Sequence, residues 1–214
     1  NSTVMFWNLW GHRYPDALHQ HISKRMPEVD IFCFTKVTKI NQHFIEVPMA
    51  FTSDNANEKP CQLNGLDQLL GLMNEKYIGM YRSPESKDWV CRQTSQIYRF
   101  VGFGSALMYR KDLAFVAAGK KLICKNFTKL SPRILQWIVY QKGVVRYLVA
   151  HLHGLWIPEN TKGDHPARIF QSYEVHAELQ SLIDKYRVDR VVFGGDLNLD
   201  INTRAMSLLL DGSE

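Results

Sequence analysis

The chain has 214 residues, of which 45% are hydrophobic, which suits one domain with a substantial core over residues 1–214. It has no apolar run of about 18 residues and no signal-peptide pattern at its start, so we expect no membrane span and a cytoplasmic location. A formal net charge of +5 favours a polyanionic partner, although the basic residues are not gathered into one run. The first residue is Asn1 rather than methionine, so a processed or secreted form stays open.

The amino-terminal part predicts a strand, a helix and a second strand. The apolar run Val4–Trp10 predicts the first strand, which ends at Gly11. Apolar residues at helical spacing within Asp16–Met26 predict the helix, and Pro27 ends it. Val29–Phe34 predicts the second strand, so helices packed on sheets are expected.

The middle of the chain is rich in predicted strands. The polar stretch Thr52–Asn64 predicts a loop, and Leu66–Met73 predicts a short helix. β-Branched and aromatic runs then predict strands at Tyr77–Tyr81, Gln96–Phe100, Ser105–Tyr109, Leu113–Ala117, Leu135–Tyr140 and Val144–Leu152. The last of these has the composition of a central strand.

Helices and strands alternate again in the carboxyl-terminal part. The polar stretch Pro158–His165 predicts a loop, and Pro166–Tyr186 has helical periodicity. The segment Arg190–Asp200 then predicts a buried strand that breaks at two glycines and presents Asp196 and Asn198, and a helix over Thr203–Leu210 follows. The sequence therefore predicts a mixed α/β (α+β) fold.

The four cysteines are scattered without a C-x-x-C pair, which disfavours both a zinc site and a disulfide framework. Cys33 lies in the apolar run Ile31–Phe34, where we expect a core residue.

Polar side chains occur at the ends of predicted strands, where apolar ones would be expected. They are Asn8, His151, His153, Asp196 and Asn198. Carboxylate and amide oxygens can bind a divalent cation, and a histidine can transfer a proton near neutral pH. Phosphate ester hydrolysis requires both of these functions. For Asp196 and Asn198 alone, an Asx turn that caps the next helix is the alternative.

Motifs in this order resemble those of the endonuclease/exonuclease/phosphatase superfamily. The matching segments are Phe6–Gly11, Asp30–Val37, Gly102–Ala106, His153–Trp156 and Gly194–Asn198, the last being the most specific. The resemblance implies the DNase-I-like fold, a four-layer α/β/β/α sandwich.

The resemblance also implies site roles. Asn8 would help to hold the metal, Mg²⁺ or Mn²⁺, or the phosphate; His153 would contact the phosphate or act as the acid; Asp196 would orient the water; and Asn198 would bind a phosphoryl oxygen. His151 shares the strand face of His153 and could share its role, with a structural histidine as the alternative.

Trp156 is a candidate substrate contact within the histidine motif. For this residue, as for Trp7 and Trp10, packing in the core or at its rim is the alternative.

One departure from the family pattern lies in its second motif. The position of the family's metal-binding glutamate is held by Lys36, whose ammonium cannot be a ligand and would repel a cation. Neither Glu28 nor Glu46 lies where it could replace that glutamate easily. A displaced alignment, with Lys36 in a solvated loop, is the alternative.

A second departure is the missing Ser-Asp-His motif, which usually supplies the general base late in the family's fold. The chain ends at Glu214 without it, so one or more carboxyl-terminal strands are expected to be missing. A fragment of a longer protein, a partner that completes the fold, and a scaffold that has lost its chemistry all remain open.

The leading hypothesis is a divalent-metal-dependent phosphoesterase that cleaves phosphodiester bonds by metal-activated water attack, with DNA or RNA as the favoured substrates. Lys36 would silence that activity in this chain if it takes the place of the metal ligand, and it could be an introduced change. The alternative is a non-catalytic relative that binds nucleic acid or a protein in the same groove. The loop Ser83–Thr94, with Lys87, Trp89 and Arg92, could contact nucleic acid or be only solvated. The oligomeric state is left open.

Overall fold

The computed structural model describes residues 2–40, 50–51, 61–62, 64–82, 87–90, 97–125, 132–157, 160 and 162–211. Their contacts divide the chain into two compact units, Asn1–Lys111 (unit 1) and Asp112–Glu214 (unit 2). The prediction of one domain over residues 1–214 stays a prediction. Among the described residues, no helix has the length and apolar character needed to cross a membrane.

Unit 1 contains a mixed sheet of the strands β1, β2, β5, β6 and β7. Their bounds are Val4–Asn8, Ile31–Ile40, Tyr77–Arg82, Lys87–Val90 and Ile97–Arg110. The order is β1-β2-β7-β5, with β6 also paired to β7. β3 (Ala50–Phe51) and β4 (Cys61–Gln62) form a separate short pair.

The helices of unit 1 cover the apolar side of this sheet. α1 (Pro15–Arg25) starts at a proline, which suits the first turn of a helix, and buries Leu18 and Ile22. α2 (Gly65–Met73) buries a face of its own, and both helices share one core with Phe32 and Phe34 of β2. Both predicted helices are confirmed.

Unit 2 contains a sheet of β8 (Ala114–Ile123), β9 (Arg133–Lys142), β10 (Val145–His153) and β11 (Arg190–Asp196), in the order β11-β10-β9-β8. The inner position of β10 agrees with its apolar sequence.

Two helices complete unit 2. α3 (Pro166–Tyr186) has the predicted bounds: the ring Nδ1 of His165 accepts from the Ala167 N–H at its start, and Arg187 ends it in a left-handed conformation. α4 (Arg204–Asp211) follows β11, and its Leu209 shares one core with apolar residues of α3, β9 and β10. Each unit thus packs helices on a sheet, which confirms the mixed α/β class.

The strands differ from the sequence prediction mainly in length. Gln96–Phe100 and Ser105–Tyr109 were predicted as separate strands, but from residue 97 onward they form one strand, β7. Pairing explains this continuity, because β7 bonds to β2 on one side and to β5 and β6 on the other. β6 also lies inside the predicted loop Ser83–Thr94, whose remaining positions fall outside the described residues, as does most of the predicted loop Thr52–Asn64.

Cys33 is 1% exposed, as predicted for a core residue, and burial raises the pKa of its thiol. Its thiol is therefore suited to packing rather than to nucleophilic chemistry.

Candidate functional site

The carboxyl ends of β10 and β11 bring His153 and Asp196 together in unit 2. The two strands are parallel and pair His153 with Asp196 in register. The Nε2 atom of His153 lies 3.8 Å from Oδ2 of Asp196, and the side chains are 16% and 35% exposed. A base and an acid are therefore adjacent and reachable from solvent.

The chain after β11 folds back onto the residue that follows His153. The Gly154 N–H donates to the Asp196 carbonyl (2.8 Å), and Nδ2 of Asn198 donates to the Gly154 carbonyl (3.1 Å). A Cβ at Gly154 would collide with the Leu197 carbonyl, so this approach requires glycine. Asn198 itself has a left-handed φ of 52°, which asparagine tolerates better than most residues. The structure thus brings together three of the predicted site residues.

α3 fixes the backbone that leaves His153 and Gly154. Oε1 of Gln171 accepts from the Leu155 N–H (2.8 Å), and Nε of Arg168 donates to the Leu155 carbonyl (3.2 Å). Arg168 is fully buried and also donates from Nη1 to the Gly163 carbonyl (2.8 Å). This clamp on Leu155 was not predicted from the sequence. Its signal was a pair of polar residues, three apart, on a helix face that is otherwise apolar.

Asp164 connects the same loop to α4. Its carboxylate accepts from the N–H groups of Ala205 and Arg204, each at 2.9 Å, and these bonds hold the pKa of Asp164 below its usual value. The loop beside the candidate site is therefore bonded to both helices of unit 2.

His151 lies apart from this accessible group. It is fully buried, its Nε2 is 2.9 Å from Oε1 of Gln136, and burial lowers its pKa to about 3. A neutral ring without solvent access cannot take over proton transfer from His153, so the geometry favours the structural alternative.

Acid is expected to destabilise the fold partly through His151. The unfolded chain binds the proton with a pKa of about 6.5, whereas the folded pKa is about 3, so the stabilisation is complete above pH 6.5 and is lost as the pH falls towards 3. We expect a loss of about 2 kcal/mol between about pH 7 and pH 5 from this group. The pKa of His12 in unit 1 is lowered to about 4, mainly by burial, so this histidine adds to the loss of stability in acid.

Urea unfolding at the two pH values, with parent and His151→Gln, measures this contribution. The variant should lose about 2 kcal/mol less than the parent over the interval. An equal loss in both proteins would show that His151 is not the group responsible.

The other side chains near this site are Trp156 and Arg133. Trp156 is 53% exposed and follows His153 by three positions, so it remains a candidate substrate contact. Burial lowers the pKa of Arg133, while its interactions with Cys124 and with the Asp196 carboxylate raise it. Arg133 therefore contributes positive charge near Asp196, and it was not among the predicted site residues.

In unit 1, Asn8 and Lys36 lie at the end of the parallel pair β1 and β2. Asn8 pairs with Thr35, and the Gly11 N–H donates to the Lys36 carbonyl (3.2 Å). Lys36 has a φ of 53°, and the register of β2 against β7 shifts between Phe34 and Val37. Such a bulge redirects a side chain. Lys36 therefore lies at a bulge within β2, with a left-handed backbone, and not in a solvated loop.

In unit 1, Asn8 and Lys36 by themselves do not form a site for the predicted Mg²⁺ or Mn²⁺. These cations require several oxygen ligands, with carboxylates prominent among them. Oδ1 of Asn8, the atom that a cation would need, accepts from the Trp10 N–H (3.0 Å), and Lys36 brings an ammonium. No group of at least three His, Cys, Asp or Glu side chains that could hold a metal occurs in the part of the chain that the structure describes.

Comparisons with known proteins bear on the fold. No family model matches the sequence, and no curated protein matches it significantly. Solved structures do match. A mannosyl-6-phosphatase from Bacteroides thetaiotaomicron has a TM-score of 0.64 and 17% identity, covering 99% of this chain and 71% of its own.

Two further solved structures give the same result. Truncated TDP2 from Caenorhabditis elegans has a TM-score of 0.57 and 19% identity, covering 92% of this chain and 62% of its own. An endonuclease/exonuclease/phosphatase family protein from B. thetaiotaomicron has a TM-score of 0.58 and 17% identity, and the match covers 95% of this chain and 59% of that protein. The chain therefore spans about three-fifths of the length of these two proteins.

The predicted resemblance is confirmed at the level of the fold. The chain has the DNase-I-like fold of the endonuclease/exonuclease/phosphatase superfamily. A fold is compatible with several chemistries, so activity has to be argued from the site.

Proposed function

We propose that this chain is a phosphoesterase that hydrolyses phosphodiester bonds at the carboxyl ends of β10 and β11. The observation that carries the proposal is the pair of His153 and Asp196, 3.8 Å apart on adjacent strands, with Asn198 bonded to Gly154, the residue after His153. The fold shared with a protein named as a mannosyl-6-phosphatase supports phosphate esters as the substrate class.

Each side chain has a role in the proposed reaction. Asn198 binds a phosphoryl oxygen through its amide, and Asp196 orients a water molecule and accepts its proton. The water oxygen forms the new bond to phosphorus, while the bond to the leaving oxygen breaks. His153, paired with Asp196 as an imidazolium, donates its proton to the leaving oxygen. The Mg²⁺ or Mn²⁺ of the sequence hypothesis stays a prediction, and these roles use the chain's own residues.

A second candidate function is binding of nucleic acid without catalysis. The observation that favours it is Lys36 beside Asn8, because an ammonium can pair with a phosphate where a carboxylate would need a metal. The formal net charge of +5 agrees with such a partner. A protein partner in the same groove stays a prediction.

The hydrolase proposal is tested by comparing the two histidines of β10. We expect His153→Gln to lower cleavage of bis(p-nitrophenyl) phosphate by about 10²–10⁴-fold, the range for a lost general acid. The matched variant His151→Gln should retain the rate of the parent within about threefold, because the buried ring does not touch substrate. Each rate is normalised to the folded fraction seen by circular dichroism.

The assay is run with chelator, with Mg²⁺ and with Mn²⁺, and plasmid DNA serves as a second substrate. A larger loss in His151→Gln would contradict the choice of His153. If the parent cleaves neither substrate under any of these conditions, the hydrolase proposal is contradicted and the binding function is the remaining candidate.

A further inference from the structure

An aromatic cavity of about 370 Å³ lies in unit 1 beside the end of β1. Rings from β1, the following turn and α1 line it, and Asn8 belongs to the same lining. The side chains that matter here are Trp7, Asn8, Trp10, Tyr14 and His21. This volume is within the range of about 300–1,000 Å³ that is typical of small-molecule sites.

The rings are held in a defined arrangement rather than scattered over the surface. His21 packs edge-on against Trp7 with centroids 4.8 Å apart, and Trp10 and Tyr14 lie 6.4 Å apart with a tilt of 35°. Trp10 and Tyr14 are each 46% exposed although they line a concavity. The guanidinium of Arg13 lies 4.9 Å from the centroid of Trp10. The cavity thus combines aromatic surface with a nearby positive charge.

Trp10 is also positioned by Asn8. Its backbone N–H donates to Oδ1 of Asn8, and its φ of 48° is unusual for a bulky residue. Such conformations cluster at ligand sites. One hydrogen bond therefore links Asn8, which lies beside Lys36 in the second candidate function, with the ring at the rim of the cavity.

We propose that this cavity is a subsite for the nucleobase of a nucleotide phosphate ester whose phosphoryl group lies next to Asn8. This proposal rests on the second candidate function, phosphate binding at Lys36 beside Asn8 in unit 1, and names the class of its ligand. A base has flat π-faces that stack on aromatic side chains. A hexose would need many hydrogen-bonding partners for its hydroxyls, whereas the lining is mainly aromatic and aliphatic, with Asn8, Tyr14 and His21 as its polar members.

Calorimetric binding of AMP, ribose 5-phosphate and glucose 6-phosphate to the full chain tests the subsite. We expect AMP to bind at least about tenfold more tightly than either sugar phosphate. Trp10→Ala should weaken AMP binding by about tenfold and leave ribose 5-phosphate unchanged. Tyr14→Ala should act in the same direction, which covers a failure of Trp10→Ala to fold. Tyr173→Ala, a tyrosine 61% exposed on α3, is the matched control and should bind like the parent.

Equal affinity for AMP and ribose 5-phosphate, or no binding of either, would overturn the subsite. Equal weakening of both ligands by Trp10→Ala would overturn it too, and a preference for glucose 6-phosphate would show a sugar site instead. Failure of phosphate binding at Lys36 and Asn8 has a different signature, because adenosine would then bind as tightly as AMP. A base-selective cavity without cleavage would leave the subsite standing and remove the hydrolase.

Discussion

Asp196→Asn is expected to lower phosphodiester turnover by about 10²–10⁴-fold while the protein stays folded. The amide keeps the shape of the carboxylate but cannot accept the proton of the attacking water, and it gives His153 no negative partner. The Asp196 carbonyl, which accepts from Gly154, is part of the backbone and is retained. The loss should therefore fall on turnover rather than on stability.

Asp184→Asn is the matched control, since Asp184 is an exposed aspartate of α3. It makes the same chemical change and the same change in net charge, and should leave turnover unaltered. Initial rates at saturating substrate, with thermal melts of all three proteins, make the comparison. Equal turnover in Asp196→Asn and the parent would remove Asp196 from the reaction, and with it the observation that carries the proposed function.

Local patterns in the sequence were sufficient to predict that His153 and Asp196 lie at the ends of strands in unit 2. An apolar strand that ends in Asp196 must expose its polar residues at the sheet edge, and the same holds for His153 on the neighbouring strand. Parallel pairing then aligns the two ends. The helix α3 was equally predictable, because its proline start and apolar spacing are local signals.

Features that depend on packing were not predictable from such patterns. His151 and His153 lie two residues apart and so belong to the same face of β10, yet His151 is buried and His153 is accessible. The reason is that β10 ends at His153, whereas His151 lies opposite Gln136 of β9. The clamp of Arg168 and Gln171 on Leu155 joins distant parts of the chain, so only the folded chain reveals it.

Backbone irregularity also escapes the sequence. Lys36 has a left-handed φ although no glycine marks that position in the sequence. The register shift of β2 against β7 arises from pairing between strands that are distant in the sequence. Lys36 stood out in the sequence only because the family that the chain resembles has a glutamate at that position.

Lys36→Glu is expected to weaken the binding of single-stranded DNA by about 10–100-fold in buffer with chelator. A hydrogen bond to a charged group contributes about 1.5–3 kcal/mol, and the substitution replaces attraction for phosphate with repulsion. Lys39→Glu is the matched control, since Lys39 is an exposed lysine of the same strand, 5.8 Å from the Tyr81 ring. The two variants change the net charge equally, so a specific role of Lys36 appears as the difference between their affinities.

The same variant separates the two candidate functions when Mg²⁺ is added. Glutamate at this position adds a carboxylate beside Asn8, so Lys36→Glu should gain a Mg²⁺-dependent rise in melting temperature that the parent and Lys39→Glu do not show. Gained cation binding together with gained cleavage would mean that Lys36 silences a hydrolase site. If DNA affinity falls and Mg²⁺ brings no cleavage, Lys36 is a phosphate-binding residue in its own right. Equal DNA affinity in Lys36→Glu and Lys39→Glu would contradict any specific role for Lys36, because the bulge would then display a lysine that touches no ligand.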